Sequence, residues 1–291
     1  MASHTSNRPL AAAAGSIALG DDLTVNRMGF GAMRLTGAGI WGPPADRREA
    51  IRVLRRALEL GVDFIDTADS YGPAVSEEII SEALHPYPEG LVIATKGGLV
   101  RPGPDRWVPN GRPDYLRSQL ESSLRRLRLE RLDLWQLHRI DEKVPEKEQF
   151  DVLREFQREG LVRHVGLSEV TVAQIERARR VLPIVSVQNR YNVTDREWEA
   201  ELEYSEREGL AFLPWFPLAA GALDETGPLA RVARRHETTP YQIALAWLLA
   251  RSPAMLLIPG TSSVPHLEQN VRAVEIRLTA DDLEELATAS R

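Results

Sequence analysis

The chain alternates eight times between a short apolar run and a longer stretch with helical periodicity. Alternating strands and helices predict a parallel sheet, and eight such units predict a closed (β/α)8 TIM barrel. Residues 17–25 are expected to add an N-terminal β-hairpin, and Thr279 is a good N-cap for an appended C-terminal helix. Residues 1–15 are interpreted as a disordered tail, and residues 16–291 as a single barrel domain. The predicted barrel strands are 28–35, 63–66, 91–95, 132–137, 161–167, 184–188, 210–215 and 254–258.

Composition narrows the classes of function. The 291 residues carry a net charge of −6 with both signs interspersed, which argues against a nucleic-acid partner. The chain contains no cysteine, which excludes disulfides and thiolate chemistry. No stretch approaches transmembrane length and no secretory signal is recognisable, so we expect a cytoplasmic protein that acts away from membranes. The sequence does not predict an oligomeric state.

Four chemically active side chains fall at or just beyond the ends of three successive predicted strands. Asp66 ends one strand and Tyr71 lies in the loop that follows it. Lys96 and His138 end the next two strands. Because TIM barrels build their active sites at the carboxyl ends of the strands, we expect these side chains to face one cavity.

Each of the four also has an ordinary structural interpretation. Asp66 suits a turn, Tyr71 a loop aromatic and Lys96 a solvated lysine, and His138 could pair structurally with Asp141. A lysine directly after a buried strand normally has a partner, however, and Asp66 is the natural one. Together the four favour catalysis. Lys96 is expected to lower the pKa of Tyr71, and His138 to orient a carbonyl oxygen.

A tyrosine that protonates a carbonyl oxygen needs a partner that delivers hydride to the carbon. The histidines include no pair at metal-ligand spacing, so no metal site is expected and the hydride is assigned to an organic cofactor. Residues 258–263 combine a glycine with three hydroxyl residues before a predicted helix, which suits a phosphate. A plain helix N-cap explains that segment equally well. Gly37–Gly42 also matches G-x-G-x-x-G, but prolines follow it and no helix begins there.

These residues stand in ordered motifs that resemble the aldo-keto reductase superfamily from about residue 17 onward. A weaker resemblance, to the bacterial pyridoxal reductase-like branch, rests on residues 41–44, 216–218 and 246–253. The superfamily motifs are Gly29–Met33, Asp66–Gly72, Thr95–Gly97, Leu137–His138 with Asp141, Gly166–Ser168, Val187–Asn189, Pro217–Leu218 with Gly221, and Ile258–Ser263 with Asn270.

The resemblance implies roles for individual residues. Tyr71 would be the general acid, tuned by Lys96 and Asp66, and His138 would orient the substrate. Ser168 and Gln188 would bind the nicotinamide carboxamide, Trp215 would stack on the ring, and residues 260–270 would surround the adenosine phosphate. The implied cofactor-binding residues are Ala32, Met33, Ser168, Gln188, Trp215, Pro217, Leu218, Gly221, Gly260, Thr261, Ser262, Ser263, His266, Gln269 and Asn270.

Several positions depart from the family pattern. Glu169 stands where asparagine is usual, and Phe216 where a small hydroxyl residue is common. Gly260 and His266 occupy positions at which many members carry lysine and arginine for the 2′-phosphate. NADP(H) is expected from the family and from the hydroxyls of residues 261–263, and NAD(H) stays open.

The leading hypothesis is NADPH-dependent reduction of an aldehyde or ketone, with pyridoxal as one candidate. Trp41 and Trp107 are expected to wall a pocket for an aromatic or hydrophobic carbonyl, although local packing explains both tryptophans as well. One alternative is an NAD-linked dehydrogenase of sugar or inositol alcohols. Another is a nucleotide-sensing binding protein with negligible turnover.

Overall fold

The computed structural model describes residues 9–218 and 226–290, and its centre is a parallel sheet curled into a barrel. Seven strands of that sheet lie in the order β11-β10-β9-β8-β5-β4-β3. In chain order the strands are β1 (Ser16–Ala18), β2 (Thr24–Asn26), β3 (Phe30–Gly31), β4 (Phe64–Asp66), β5 (Val92–Gly97), β6 (Leu99–Gly103), β7 (Arg106–Pro109), β8 (Leu132–Leu137), β9 (Val162–Ser168), β10 (Ser186–Gln188) and β11 (Ala211–Phe212).

Residues 254–258 take the place of an eighth strand and close the ring. Met255 forms a parallel bridge with Phe212 on one side, and Leu257 forms one with Met28 on the other. The Leu256 amide donates to the Phe212 carbonyl at 2.9 Å, which continues the pairing. The (β/α)8 barrel prediction is confirmed, but 254–258 contributes single bridges instead of a full strand.

The first barrel strand is shorter than the predicted 28–35. After Phe30–Gly31 the chain turns into a 3-10 helix over Ala32–Leu35. The hydroxyl of Ser76 donates to the carbonyl of Ala32 at 3.2 Å, and that of Thr36 to the carbonyl of Met33 at 2.9 Å. These side-chain bonds satisfy carbonyls that a strand would have paired with its neighbours, so the turn competes with sheet extension.

Ten α-helices surround the barrel in the described residues. Their apolar faces pack on the outward-facing strand residues and form the larger of two buried clusters. The appended C-terminal helix is present, and Thr279 and Asp282 form a reciprocal capping box at its start. The helices are α1 (Arg47–Glu59), α2 (Val75–Leu84), α3 (Pro113–Leu127), α4 (Glu146–Arg158), α5 (Val172–Arg179), α6 (Glu199–Glu208), α7 (Pro228–Arg235), α8 (Pro240–Arg251), α9 (Val264–Arg272) and α10 (Ala280–Ala287).

The two-residue period of the strands decides which side chains enter the barrel. Phe64, Val92, Ala94 and Leu134 belong to a separate buried cluster inside the ring, whereas their chain neighbours belong to the outer cluster. Leu19 and Val25 of the N-terminal hairpin join the inner cluster, so the hairpin covers one end of the barrel. Two or four residues further along the chain, the same period turns polar side chains inward at the other end of the barrel. These polar side chains are Asp66, Lys96, Gln136 and His138.

Two expectations need correction. The tail predicted over residues 1–15 is wrong for Leu10–Ala14, which form a 3-10 helix whose Ala11 is fully buried and donates its amide to the Leu60 carbonyl at 2.9 Å. Residues 1–8 lie outside the described residues. The antiparallel hairpin β6–β7 was not predicted at all, although it borders the site described below.

No helix within residues 9–218 and 226–290 is both long and apolar enough to cross a membrane. The cytoplasmic location stays a prediction.

Candidate active site

A buried lysine connects an acid to a phenol at the open end of the barrel. The ammonium of Lys96 lies 2.6 Å from Oδ1 of Asp66 and 2.8 Å from the carbonyl oxygen of Thr67, and it donates to the hydroxyl of Tyr71 at 3.3 Å. Lys96 is 0% exposed. A lysine this deeply buried stays charged only if it is paired, and Asp66 provides the countercharge.

Two buried amides complete the shell around Asp66. The side-chain nitrogens of Gln136 and Gln188 donate to its Oδ2 at 3.1 and 2.9 Å. Both Asp66 oxygens are therefore bonded, and the carboxylate is fixed in place. One N–H of the Gln188 amide is used here, so its second N–H and its carbonyl oxygen are left for the predicted contact with a nicotinamide carboxamide.

The environment of Tyr71 changes one expectation about its acidity. Burial raises the pKa of Tyr71, and the nearby charge of Lys96 lowers it by less, so that the net pKa is raised above its ordinary value. The predicted lowering of the phenol pKa is therefore wrong in its net direction, although Lys96 acts with the expected sign. Burial also disfavours the charge on Lys96, but Asp66 and Tyr71 together outweigh burial and the pKa of Lys96 is raised. The structure thus holds a protonated phenol against a charged ammonium.

His138 lies beside Tyr71 as a neutral imidazole. Burial lowers the pKa of His138 well below its usual range, and the positive charges of Lys96, Arg139 and Arg101 lower it further. The rings of Tyr71 and His138 meet edge to face, with centroids 5.9 Å apart. The Ser70 hydroxyl lies 3.3 Å from Nδ1 of His138. If that hydroxyl donates to Nδ1, then Nε2 carries the proton and can donate to a carbonyl oxygen.

Arg101, from the hairpin that was not predicted, ties the rim of the site together. Its guanidinium donates to the carbonyls of Ile40, Ser70 and Gly39 at 2.8–2.9 Å, and its Nε to that of Arg106 at 2.9 Å. It also lies over the ring of Trp107, with the guanidinium carbon 3.5 Å from the ring centroid. Arg101 therefore fixes Trp107 next to the loop that carries Tyr71.

The two predicted wall tryptophans differ in position. Trp107 lines the cavity and meets Tyr71 edge to face, with centroids 6.2 Å apart. Trp41 is not among the lining residues; its ring lies 5.8 Å from the Arg101 guanidinium carbon. The role of Trp41 as a substrate wall stays a prediction.

These side chains border a cavity of about 700 Å³. This volume is in the range of small-molecule and cofactor sites. The groups at one end are Asp66, Tyr71, Leu99, Trp107, Pro109 and His138. The remaining lining includes Gly31, Met33, Arg34, Arg139, Ser168, Gln188, Trp215, Phe216, Pro217, Leu218 and Gly260.

A glutamate holds the indole predicted to stack on a nicotinamide. Trp215 donates its indole N–H to Oε1 of Glu169, and the same oxygen accepts the backbone N–H of Arg190 at 2.8 Å. Glu169 has a φ of +53°, in the left-handed region that non-glycine residues rarely adopt. Oε1 of its carboxylate is therefore engaged within the protein and holds the Trp215 indole.

The sequence matches a known protein family over most of its length. The model of the Aldo/keto reductase family matches residues 27–291. The chain belongs to this family. An oxidoreductase of Schizosaccharomyces pombe is 55% identical over 272 residues, which cover 93% of this chain and 88% of that protein. Pyridoxine 4-dehydrogenase of Escherichia coli is 45% identical over 274 residues, covering 92% of this chain and 96% of the relative.

A solved structure supports the same assignment. An aldo/keto reductase of Klebsiella pneumoniae in complex with NADP and acetate matches with a TM-score of 0.81 at 25% identity, covering 95% of this chain and 96% of that one. The resemblance inferred from the motifs is confirmed, and the chain is an oxidoreductase of the aldo/keto reductase family.

The segment predicted to bind phosphate in this aldo/keto reductase has two residues in the cavity lining, Ile258 and Gly260. Oε1 of Glu49 accepts the backbone N–H of Val264 at 3.1 Å, so a carboxylate already occupies the start of α9. Thr261 is buried and its hydroxyl accepts the amide of Ser263 at 3.2 Å. The other predicted contacts of the segment are Ser262, His266 and Gln269, which are exposed, and Asn270, which is buried.

The remaining predicted cofactor residues divide between the lining and the core. Met33, Pro217 and Leu218 line the cavity. Ala32 is fully buried and does not line it. Gly221 lies outside the described residues.

Sequence reasoning missed four residues of this site. Gln136 precedes His138 by two positions on β8, and the strand period could have placed it inside the barrel. Arg139 directly follows His138 at the end of β8, and residues at the carboxyl ends of barrel strands are expected to border the active site. Arg34 reaches the lining from the turn after β3. No local pattern pointed to Arg101, because its role depends on a hairpin that packs back over the barrel.

Proposed function

We propose that this aldo/keto reductase catalyses the NADPH-dependent reduction of an aromatic aldehyde, such as pyridoxal, to the alcohol. The oxidoreductase class follows from the family. The substrate class is supported by the relative named pyridoxine 4-dehydrogenase, which is similar over 96% of its length. It is also supported by Trp107, whose fixed ring gives the catalytic end of the cavity a flat aromatic wall.

The cavity fits a nicotinamide dinucleotide. The indole of Trp215 lines the cavity and is held by its hydrogen bond to Glu169. Ser168 and Gln188 supply polar groups at the strand ends. Arg34, exposed near Gly260, adds a positive charge where phosphate groups would lie. The Klebsiella pneumoniae relative is solved with NADP, which favours NADP(H) for this chain as well. Bound NADPH would supply the hydride, becoming NADP⁺ as the carbonyl carbon gains its new C–H bond.

The residues of this chain handle the oxygen end of the reaction. The neutral imidazole of His138 donates a hydrogen bond to the carbonyl oxygen and orients it toward Tyr71. As the C=O bond becomes a C–O single bond, negative charge builds on that oxygen, and the Tyr71 hydroxyl gives it a proton. The phenolate left behind is stabilised by the Lys96 ammonium, 3.3 Å away. Asp66 keeps that ammonium charged and in position.

The proposal depends most on the contact between the Lys96 ammonium and the Tyr71 hydroxyl at the edge of the cavity. Its test is the consumption of NADPH, followed by absorbance, with pyridoxal, benzaldehyde, a ketone and a sugar aldehyde as substrates. We expect turnover to be fastest with the aromatic aldehydes and with NADPH rather than NADH. Binding of NADPH without turnover of any of them would favour the nucleotide-sensing alternative. A strong preference for NAD⁺ with sugar or inositol alcohols would favour the dehydrogenase alternative.

A further inference from the structure

We propose that Arg139 is a subsite for an anionic substituent of the substrate, so that the preferred aldehydes carry a carboxylate or a phosphate in addition to the reacting carbonyl. Arg139 follows His138 at the end of β8 and lines the same cavity. The inference rests on the proposed function, because it names the class of aldehyde that the site takes.

The guanidinium of Arg139 is only partly satisfied by the protein. Its Nη1 donates to the carbonyl of His138 at 2.6 Å and to the hydroxyl of Ser168 at 3.1 Å. Its Nε and Nη2 have no acceptor among residues 9–218 and 226–290. Burial lowers the pKa of Arg139, but an arginine remains charged at any ordinary pH. The cavity therefore contains a fixed cation with donors to spare.

The acid that acts on Arg139 from nearby is engaged elsewhere. Glu169 attracts the guanidinium through space. The Oε1 atom of Glu169, however, accepts the Trp215 indole and the Arg190 amide. No ion pair joins Arg139 to a carboxylate in the described part of the chain. A half-buried arginine of this kind gains most from a ligand that brings its own negative charge.

The other cations of the catalytic end are not free in this way. Lys96 is paired with Asp66 and has no exposed surface. Arg101 donates four hydrogen bonds to backbone carbonyls and packs on Trp107. Burial lowers the pKa of His138 most, and the charges of Lys96, Arg139 and Arg101 lower it further. Among the described residues at this end of the cavity, Arg139 is the cation with guanidinium donors left for a ligand.

The location of Arg139 suits an aldehyde with its charge at the far side of a ring. The guanidinium of Arg139 donates to the backbone carbonyl of His138 at 2.6 Å, and it lines the same cavity as the Tyr71 and His138 side chains. A benzene or pyridine ring can therefore place its carbonyl at Tyr71 while a carboxylate or phosphate meets the guanidinium fork, which accepts either anion in two-point contact.

The test compares matched substrates in parent protein and Arg139→Gln. One pair is 4-carboxybenzaldehyde and its neutral methyl ester, and a second is pyridoxal 5′-phosphate and pyridoxal. We expect Arg139→Gln to raise KM for the anionic members by about 10- to 100-fold, the usual effect of losing a charge-assisted hydrogen bond. KM should rise more for each anionic member than for its neutral partner, because any effect through Ser168 or His138 applies equally to both members of a pair.

Controls separate this role from a structural one. Arg139→Lys keeps the charge but loses the planar fork and should recover part of the preference for the anion. Arg158→Gln, at the exposed end of α4, should behave like the parent. An equal loss for anionic and neutral aldehydes in Arg139→Gln would overturn the proposal. So would a rise in KM for NADPH alone, since that would assign Arg139 to the cofactor.

A binding measurement keeps the inference separate from the proposed function. Terephthalate carries two carboxylates and no aldehyde group. Calorimetric titration of the NADP⁺-loaded protein with terephthalate should show weaker binding to Arg139→Gln than to the parent. That result supports the subsite even if no aldehyde is turned over, in which case only the proposed function fails. Equal binding to both proteins would contradict the subsite even if aldehydes are reduced.

Discussion

Trp215 donates its indole N–H to the carboxylate of Glu169, a residue held at a φ of +53°. The indole is the ring proposed to stack on a nicotinamide, and its hydrogen bond to Glu169 fixes its orientation. The structure therefore gives this departure from the family pattern a positioning role.

Replacing Glu169 by alanine should loosen the indole and raise KM for NADPH by about tenfold, the scale of a lost hydrogen bond to a charged group. kcat should change much less, because Glu169 touches none of the proton-transfer residues. Glu169→Gln keeps an acceptor for the indole and should remain close to the parent. Steady-state kinetics at saturating aldehyde distinguish the two variants. If Glu169→Ala leaves KM for NADPH unchanged, Glu169 does not position the indole for cofactor binding.

Lys96 should support both stability and catalysis. Lys96→Met leaves Asp66 buried without its countercharge, and breaking one side of a buried ion pair costs roughly 3–5 kcal/mol. Urea unfolding should show this loss. At a temperature at which the variant is folded, kcat should also fall, since no charge stabilises the phenolate of Tyr71. Exchange of an exposed arginine, Arg158→Met, is the matched control and should alter neither quantity.

The pH dependence follows from the directions of two pKa shifts. Burial raises the pKa of Tyr71 above its usual value, so the donor stays protonated until well above neutral pH. Burial and nearby cations lower the pKa of His138, so the imidazole stays neutral as the pH falls toward the ordinary pKa of histidine. We therefore expect kcat/KM for a neutral aldehyde to be flat between about pH 6 and 9. A decrease of kcat/KM centred near pH 8 would show that the pKa of Tyr71 is lowered, contrary to this structure.

Arg34 and Glu49 should influence cofactor affinity with opposite signs. Arg34 lines the cavity near Gly260, whereas Glu49 places a negative charge at the start of α9. Arg34→Ala should raise KM for NADPH by about tenfold and affect NADH less, because the extra phosphate responds most to a lost cation. Glu49→Gln should lower KM for NADPH modestly. Identical responses of the two cofactors to both changes would place their phosphates elsewhere.

Much of the fold and the central catalytic group of the site could be predicted from the order of the strands. Asp66, Lys96 and His138 each end an apolar run, and the geometry of a parallel barrel brings such ends together. The strand period also explains why Lys96 points inward behind Val92 and Ala94. These inferences needed only local patterns and one rule of topology.

The remaining features depend on contacts between segments far apart in the chain. Arg101 reaches the carbonyl of Gly39 across 62 positions, and no local pattern encodes that bond. The net pKa of Tyr71 depends on how deeply the folded chain buries it, so a neighbouring lysine alone could not give the sign. Trp41 was assigned to the substrate wall from its loop position, but its packing against Arg101 depends on contacts between distant segments.

The most direct measurement is the single-turnover rate of aldehyde reduction by Tyr71→Phe with NADPH bound, compared with the parent. The variant should keep the fold and the affinity for NADPH, because it loses only a hydroxyl, while the rate should fall by about 10²- to 10⁴-fold, the usual contribution of a positioned general acid. A Tyr71→Phe protein that reduces aldehydes at the parent rate would show that the proton comes from another group.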